Sequence, residues 1–421
     1  MRPGGASPGS LDNNSVGATY AVPVGVVPQQ GSREESYAQW VRAAIARTRA
    51  SGGRLVALFE SSVPEPVDLI QQIVARAFAD PVTSRYTSAF SGGNPYVVDH
   101  LASAYGVGAD HILCTTGATG ALSLIYRSLV RPGERILVEA PGFDLFDGIA
   151  RDCDIRVDHF SRRPPLFGFD PAEIEAKLRP DTRLVVLSNL HNPSGMAADH
   201  EALVALARIA EARGVLVLVD EVYGAYADCQ ARPCPAASLS PSLISVSSLT
   251  KIFGLSTLRC GWIVARPDVL GPVREMSEKF EFGISNLAHA VAALVLDETE
   301  RFRDYAFGVI ASARPTIQSR FAQWRREGLI EGELPPFGCI SFPRLVGIDD
   351  TIAFSDWLSE RCGVIVAPGE YFGAPGHVRI GHALPVEDLT HGLDQLGEAL
   401  RVFRGKAGEA ARERAACSEN L

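Results

Sequence analysis

The run Ser248-Leu249-Thr250-Lys251-Ile252-Phe253-Gly254-Leu255, continued by Leu258-Arg259-Cys260-Gly261-Trp262, sets a lysine between a serine three residues before it and an arginine eight residues after it. A lysine in such a setting can form a Schiff base with a carbonyl cofactor. The serine hydroxyl and the arginine fork can both hold a phosphate. The apolar run at residues 243–246 leads directly into this segment, so Lys251 is expected just beyond the end of a strand.

Working outward, short apolar runs at residues 111–114, 135–138, 184–187, 215–219 and 243–246 alternate with helical patterns. Strands that are apolar on both faces suit a mostly parallel sheet covered by helices. Leu203, Leu206, Ala207 and Ala210 mark one helix face, and Gly214 supplies its stop. The chemistry-bearing residues fall at strand ends, where open α/β sheets bind ligands.

Each of those ends carries a separate hint. Thr116-Gly117-Ala118-Thr119-Gly120 follows one run and opens a helix, offering free N–H groups and the positive dipole end to a phosphate. Asp220 ends another run, with Tyr223 three residues on, and a buried carboxylate there would keep a ring nitrogen protonated. Asn192 lies in the turn Asn192-Pro193-Ser194-Gly195, Phe143 follows Ala140-Pro141-Gly142, and Arg379 sits in His377-Val378-Arg379-Ile380-Gly381. His191 has no assigned task and is read as structural.

Taken together, these segments resemble the class I/II (fold type I) pyridoxal-phosphate-dependent aminotransferases, in order and spacing, over roughly residues 37–403. The resemblance implies an α/β fold: a large domain with a mostly parallel central sheet, at residues 67–299, and a small α+β domain built from residues 34–66 and 300–405. Residues 1–33 and 406–421 are expected to be flexible tails. It also implies pyridoxal 5'-phosphate held as an aldimine on Lys251. Gly117, Ala118, Thr119, Ser248 and Arg259 would hold the phosphate, and Asp220 the ring nitrogen. Tyr223 and Asn192 would serve the phenolic oxygen, Phe143 the ring face, and Arg379 with Asn192 the substrate carboxylate. Tyr86 resembles a tyrosine that reaches the neighbouring subunit's phosphate, and Ser285-Asn286 another cross-subunit segment; both imply a homodimer with shared sites. The expected reaction is transamination of an α-amino acid with a 2-oxo acid acceptor. Elimination, cyclisation or decarboxylation on the same scaffold is the alternative, and a non-catalytic regulator the second.

The chain departs from its relatives in two places. Many carry a glycine-containing turn where this sequence has Leu58-Phe59-Glu60-Ser61-Ser62-Val63-Pro64. Glu281 stands four residues before Ser285, where dicarboxylate-specific relatives carry arginine; this disfavours aspartate and glutamate and permits a cationic or polar side chain.

Bulk properties exclude other classes. The net charge of −9 argues against nucleic-acid or membrane-surface partners. No apolar run approaches the ~20 residues of a membrane helix, and no G-x-G-x-x-G or phosphate-loop lysine motif occurs. Eight scattered cysteines form no C-x-x-C pair, so neither a metal site nor a structural disulfide is expected, and a reducing cytoplasm is the expected compartment.

Overall fold

The computed structural model describes residues 36–418 except 51–53, 78, 80–92, 228–234 and 282. The described residues group into one compact unit. The order of elements runs α1 (Tyr37–Ala50), β1 (Val56–Ala57), α2 (Val67–Ala77), α3 (Pro95–Tyr105), β2 (Ile112–Thr116), α4 (Gly117–Leu129), β3 (Arg135–Ala140), α5 (Asp144–Asp152) and β4 (Arg156–Ser161). Next come α6 (Pro171–Lys177), β5 (Thr182–Ser188), α7 (His200–Arg213), β6 (Leu216–Asp220), β7 (Leu243–Ser248), β8 (Cys260–Val264), α8 (Pro267–Phe280), α9 (Asn286–Asp297) and α10 (Thr299–Arg326). The chain closes with β9 (Ile330–Glu331), β10 (Ile340–Ser341), β11 (Arg344–Leu345), α11 (Thr351–Cys362), β12 (Val364–Ile365), β13 (Ala367–Pro368), β14 (Val378–Gly381) and α12 (Val386–Ser418).

The central sheet has seven strands in the order β2-β8-β7-β6-β5-β3-β4. All five apolar runs read from the sequence are in it. The pairs β4–β3, β3–β5, β5–β6 and β6–β7 are parallel, whereas β8 is antiparallel to both neighbours. Strands β4 and β8 escaped the apolar-run reading for different reasons. Polar Arg156, Asp158 and His159 interrupt β4, an edge strand, and β8 begins inside the lysine motif itself. Gly261 of β8 is required by close approach: a Cβ there would lie 2.4 Å from the carbonyl carbon of Gly117. That contact seats the start of α4 against the sheet beside Arg259. Helix α7 buries Leu203, Leu206, Ala207 and Ala210, and Gly214 caps it at φ 63°.

The two chain ends meet in smaller sheets. β1 pairs in parallel with β12, and β14 lies between β10 and β13. Gly381 makes the joint possible: its N–H donates to the Leu58 carbonyl at 2.6 Å, and a Cβ would lie 1.6 Å from the Glu60 carbonyl oxygen. The 58–61 segment is thereby pressed against the strand that carries Arg379.

At the C-terminus, α12 continues as far as Ser418, into the residues expected as a tail. The Ala, Glu and Arg that suggested fraying are among the stronger helix formers. The N-terminal tail and Tyr86 lie outside the described residues.

Candidate active site

Four parallel strands end on one side of the sheet, and each delivers a turn to the same cavity of about 430 Å³. After β3 comes Phe143, after β5 Asn192, at the tip of β6 Asp220 followed by Tyr223, and at the tip of β7 Ser248 followed by Lys251. Antiparallel β2 and β8 add Ala118 and Thr119 from α4, with Arg259. Arg379 enters from β14. Gly117 is not itself in the lining. It lies beneath, where a Cβ would come within 2.6 Å of the Arg259 guanidinium. The structure therefore brings together the expected site residues, apart from Tyr86.

At the sheet end of the cavity, Asp220 is 4 % exposed, and the Val222 N–H donates to its Oδ1 at 3.1 Å. Burial pushes its carboxyl up to about 6, partly offset by that N–H and by the charge of Lys251. A buried acid so placed gains by facing a cation. The Tyr223 hydroxyl is buried and has no hydrogen-bond partner among the described residues. The Lys251 Nζ lies 5.4 Å from the centre of the Tyr223 ring and donates to Ser61 Oγ at 2.9 Å.

Arg259 adopts φ 48°, a left-handed conformation that L side chains rarely take. It is held only by carbonyls, Ser256 O at 3.5 Å and Thr116 O at 3.4 Å, and among the described residues it pairs with no carboxylate. A strained arginine over the glycine start of a helix, with Ser248 alongside, is a fitting seat for a phosphate dianion.

At the other end Arg379 is 3 % exposed. It donates to Asn192 Oδ1 at 2.8 Å, to the Tyr37 hydroxyl at 3.0 Å and to the Phe59 carbonyl at 3.1 Å. The Tyr37 and Phe372 rings cover it, and its Nε has no partner. Among the described residues no carboxylate pairs with it. Burial pushes the Tyr37 hydroxyl up to about 12, with Arg379 pulling the other way. The groove thus holds two orphaned polar atoms, the Tyr223 hydroxyl and Arg379 Nε, together with a buried acid at Asp220 and an arginine at Arg259 that has no carboxylate partner among the described residues.

Residues 83–396 match the family described as aminotransferase class I and II, in agreement with this geometry. The chain belongs to that family. Its members use pyridoxal 5'-phosphate, and the residues above fit that group. The chain is 30 % identical over 300 residues to capreomycidine synthase of Streptomyces vinaceus, covering 70 % of this chain and 75 % of that one. It is 26 % identical to an aspartate aminotransferase of Streptomyces avermitilis, covering 84 % and 91 %. A mutant aspartate aminotransferase of Thermus thermophilus shares the fold with a TM-score of 0.78 at 22 % identity, covering 88 % of this chain and all of that one.

Sequence reasoning missed Tyr37 and Asp144, which line the cavity. Tyr37 is the first residue of α1 and reads from sequence as a helix start, while Asp144 reads as an ordinary first-turn acid of α5. Glu60 and Ser61, noted as departures, do face the cavity. Glu281 does not line it. Its carboxylate accepts from Ser277 at 3.0 Å, at the end of α8 near Gly120. His191 is buried, bonded to Ser194 Oγ at 2.7 Å and the Pro141 carbonyl at 2.9 Å, and stacked on Phe167. Among the described residues no His, Cys, Asp and Glu group could hold a metal, no helix is long and apolar enough to cross a membrane, and Cys114, Cys153, Cys260, Cys339 and Cys362 are free thiols.

Proposed function

We propose that this protein is an aminotransferase that takes an α-amino acid and releases a 2-oxo acid, with a second 2-oxo acid as acceptor. The observation that carries the reading is one cavity lined by Lys251, Asp220, Arg259 and Arg379. When bound, pyridoxal phosphate supplies a carbonyl carbon for the amino nitrogen and a protonated ring that withdraws electrons from Cα. Arg259, Ser248 and the N–H groups opening α4 would hold the phosphate, Asp220 the ring nitrogen, Tyr223 and Asn192 the phenolic oxygen, and Phe143 the ring face. Arg379 grips the substrate α-carboxylate and so fixes which substituent faces Lys251. Lys251 would hold the group through its Nζ, and the same amine is placed to take the Cα proton as general base. Ser61, within hydrogen-bond reach of that amine, steadies it.

The reading retains a large domain at residues 67–299, a small domain from residues 34–66 with 300–405, a homodimer with shared sites, and a cytoplasmic location. One observation favours a second reading, elimination or cyclisation on the same scaffold: the 30 % identical relative is named a synthase. A single half-reaction separates them. Purified protein is mixed with an amino-acid panel and no acceptor, followed by absorbance, with products identified by mass spectrometry. Stoichiometric conversion to the pyridoxamine form with one 2-oxo acid supports the aminotransferase. Sustained turnover with the cofactor retained supports the second reading.

A further inference from the structure

The charged groups lining the cavity do not all have a task in that chemistry. Lys251, Arg259 and Asp220 serve the cofactor, and Arg379 the α-carboxylate. Glu60, Asp144 and Arg42 remain. Glu60 is exposed to the cavity and, among the described residues, forms no ion pair or side-chain hydrogen bond. It follows Phe59, whose carbonyl accepts from Arg379, so its carboxylate stands at the amino-acid end. Asp144, at the start of α5, is partly buried on the same side, and both acids act on the Tyr37 hydroxyl through their charge. Asp144 likewise has no ion pair within 4.0 Å among the described residues. Burial raises its carboxyl above the usual range, while the Tyr37 backbone N–H and the charge of Arg379 pull it back.

A pair of acids would not by itself mark a site. Here they share a cavity with Arg379, whose Nε is buried without a partner, and with the unpartnered Tyr223 hydroxyl. Both point to a ligand in this space. Val41, Leu122 and Leu145 line the same cavity and suit a methylene stem. Arg42 is exposed on α1, so the acids outnumber the free cations two to one in this part of the lining.

We infer that Glu60 and Asp144 receive the cationic end, a guanidinium or ammonium, of the substrate's side chain. This deepens the proposed function and rests on Arg379 as the α-carboxylate clamp. The preferred substrate is then a basic amino acid with an aliphatic stem. Glutamate or aspartate would set a second carboxylate against two like charges.

Arginine and citrulline test this, since they have nearly the same shape and differ in charge. Holoenzyme is titrated with each by calorimetry without acceptor, and half-reaction rates are measured in parallel, with glutamate and leucine alongside. Arginine should be preferred over citrulline by roughly tenfold or more in affinity and in kcat/KM, the size of one charge-assisted hydrogen bond. Glu60→Gln and Asp144→Asn should each shrink the arginine-to-citrulline ratio several-fold. Glu60→Gln changes an exposed side chain, so it still reports if Asp144→Asn folds poorly. Equal handling of arginine and citrulline, a preference for glutamate, or a ratio untouched by both variants overturns the inference. Charge-dependent arginine binding with sustained turnover and retained cofactor would keep it and reject transamination.

Discussion

Arg162 and Arg379 are both buried arginines, 2 % and 3 % exposed, and they have opposite surroundings. Arg162 lies 3.2 Å from the carboxylate of Glu139, itself buried, and its guanidinium rests over the Phe169 ring. Ser188 donates to the other Glu139 oxygen and accepts from the Asn192 N–H, so the pair underpins the turn carrying Asn192. Arg379 has only neutral partners: an amide, a phenol and a carbonyl. Burying a cation without a counter-charge is costly, and a protein tolerates it where a ligand brings the missing charge. The first arginine has its counter-charge beside it, although none of its guanidinium nitrogens has a hydrogen-bond partner among the described residues; the second has no counter-charge and marks an opening in the fold's own charge balance. Arg259, which is exposed, and Lys251, which is half-buried, also form no salt bridge among the described residues.

The sharpest way to break this contrast starts with Lys251. Lys251→Ala should lower turnover by about 10⁴-fold with the thermal midpoint little changed; wild-type turnover would remove the open cations from the chemistry. Next comes the arginine pair itself. Arg379→Ala should lower kcat/KM a hundredfold or more, on the order of 3–5 kcal/mol, whereas Arg162→Ala should cost a similar amount in unfolding free energy by leaving Glu139 unpaired. Denaturant melts and steady-state kinetics on both variants decide it: a swap of the two phenotypes would sink the comparison.

Asp220 sharpens it by pH. Its carboxyl lies at about 6 in the folded protein against an ordinary 3.8. The folded state therefore resists its ionisation: the cost is absent below about pH 4, grows as pH rises and is complete above about pH 6. Cofactor-free Asp220→Asn should be more stable than the parent at pH 8, by up to about 3 kcal/mol, and no more stable at pH 4. Melting curves at the two pH values check this; an unchanged gap between them would show that the acid is not strained. The smallest effect belongs to Ser61→Ala, which should reduce kcat less than tenfold, for the loss of about 1 kcal/mol of hydrogen bonding. A thousandfold fall would give Ser61 a larger part than steadying Lys251.

Much of this was readable in the chain. The apolar runs predict five of the seven central strands because both faces of those strands are covered, so nearly every side chain is apolar. The motifs around Lys251, Asp220, Asn192 and Arg379 are legible because each turn follows directly on its strand. What escaped reading depends on distant meetings. Tyr37 and Arg379 are 342 residues apart yet bonded through side chains, and no local pattern signals that. Glu281 suggested a charge near the substrate on spacing alone; the acids lining the cavity are Glu60, Asp144 and Asp220.

The parallel pairing of β1 with β12 also sets an order of assembly during synthesis. The seven central strands are complete once Val264 has emerged, so the phosphate cradle can form while the ribosome is still at work. Val56 and Ala57 must wait for Val364 and Ile365, and the 58–61 segment waits for Gly381. The strands of the cofactor seat are thus synthesised well before the last pieces of the grip on the amino acid, β12 and β14.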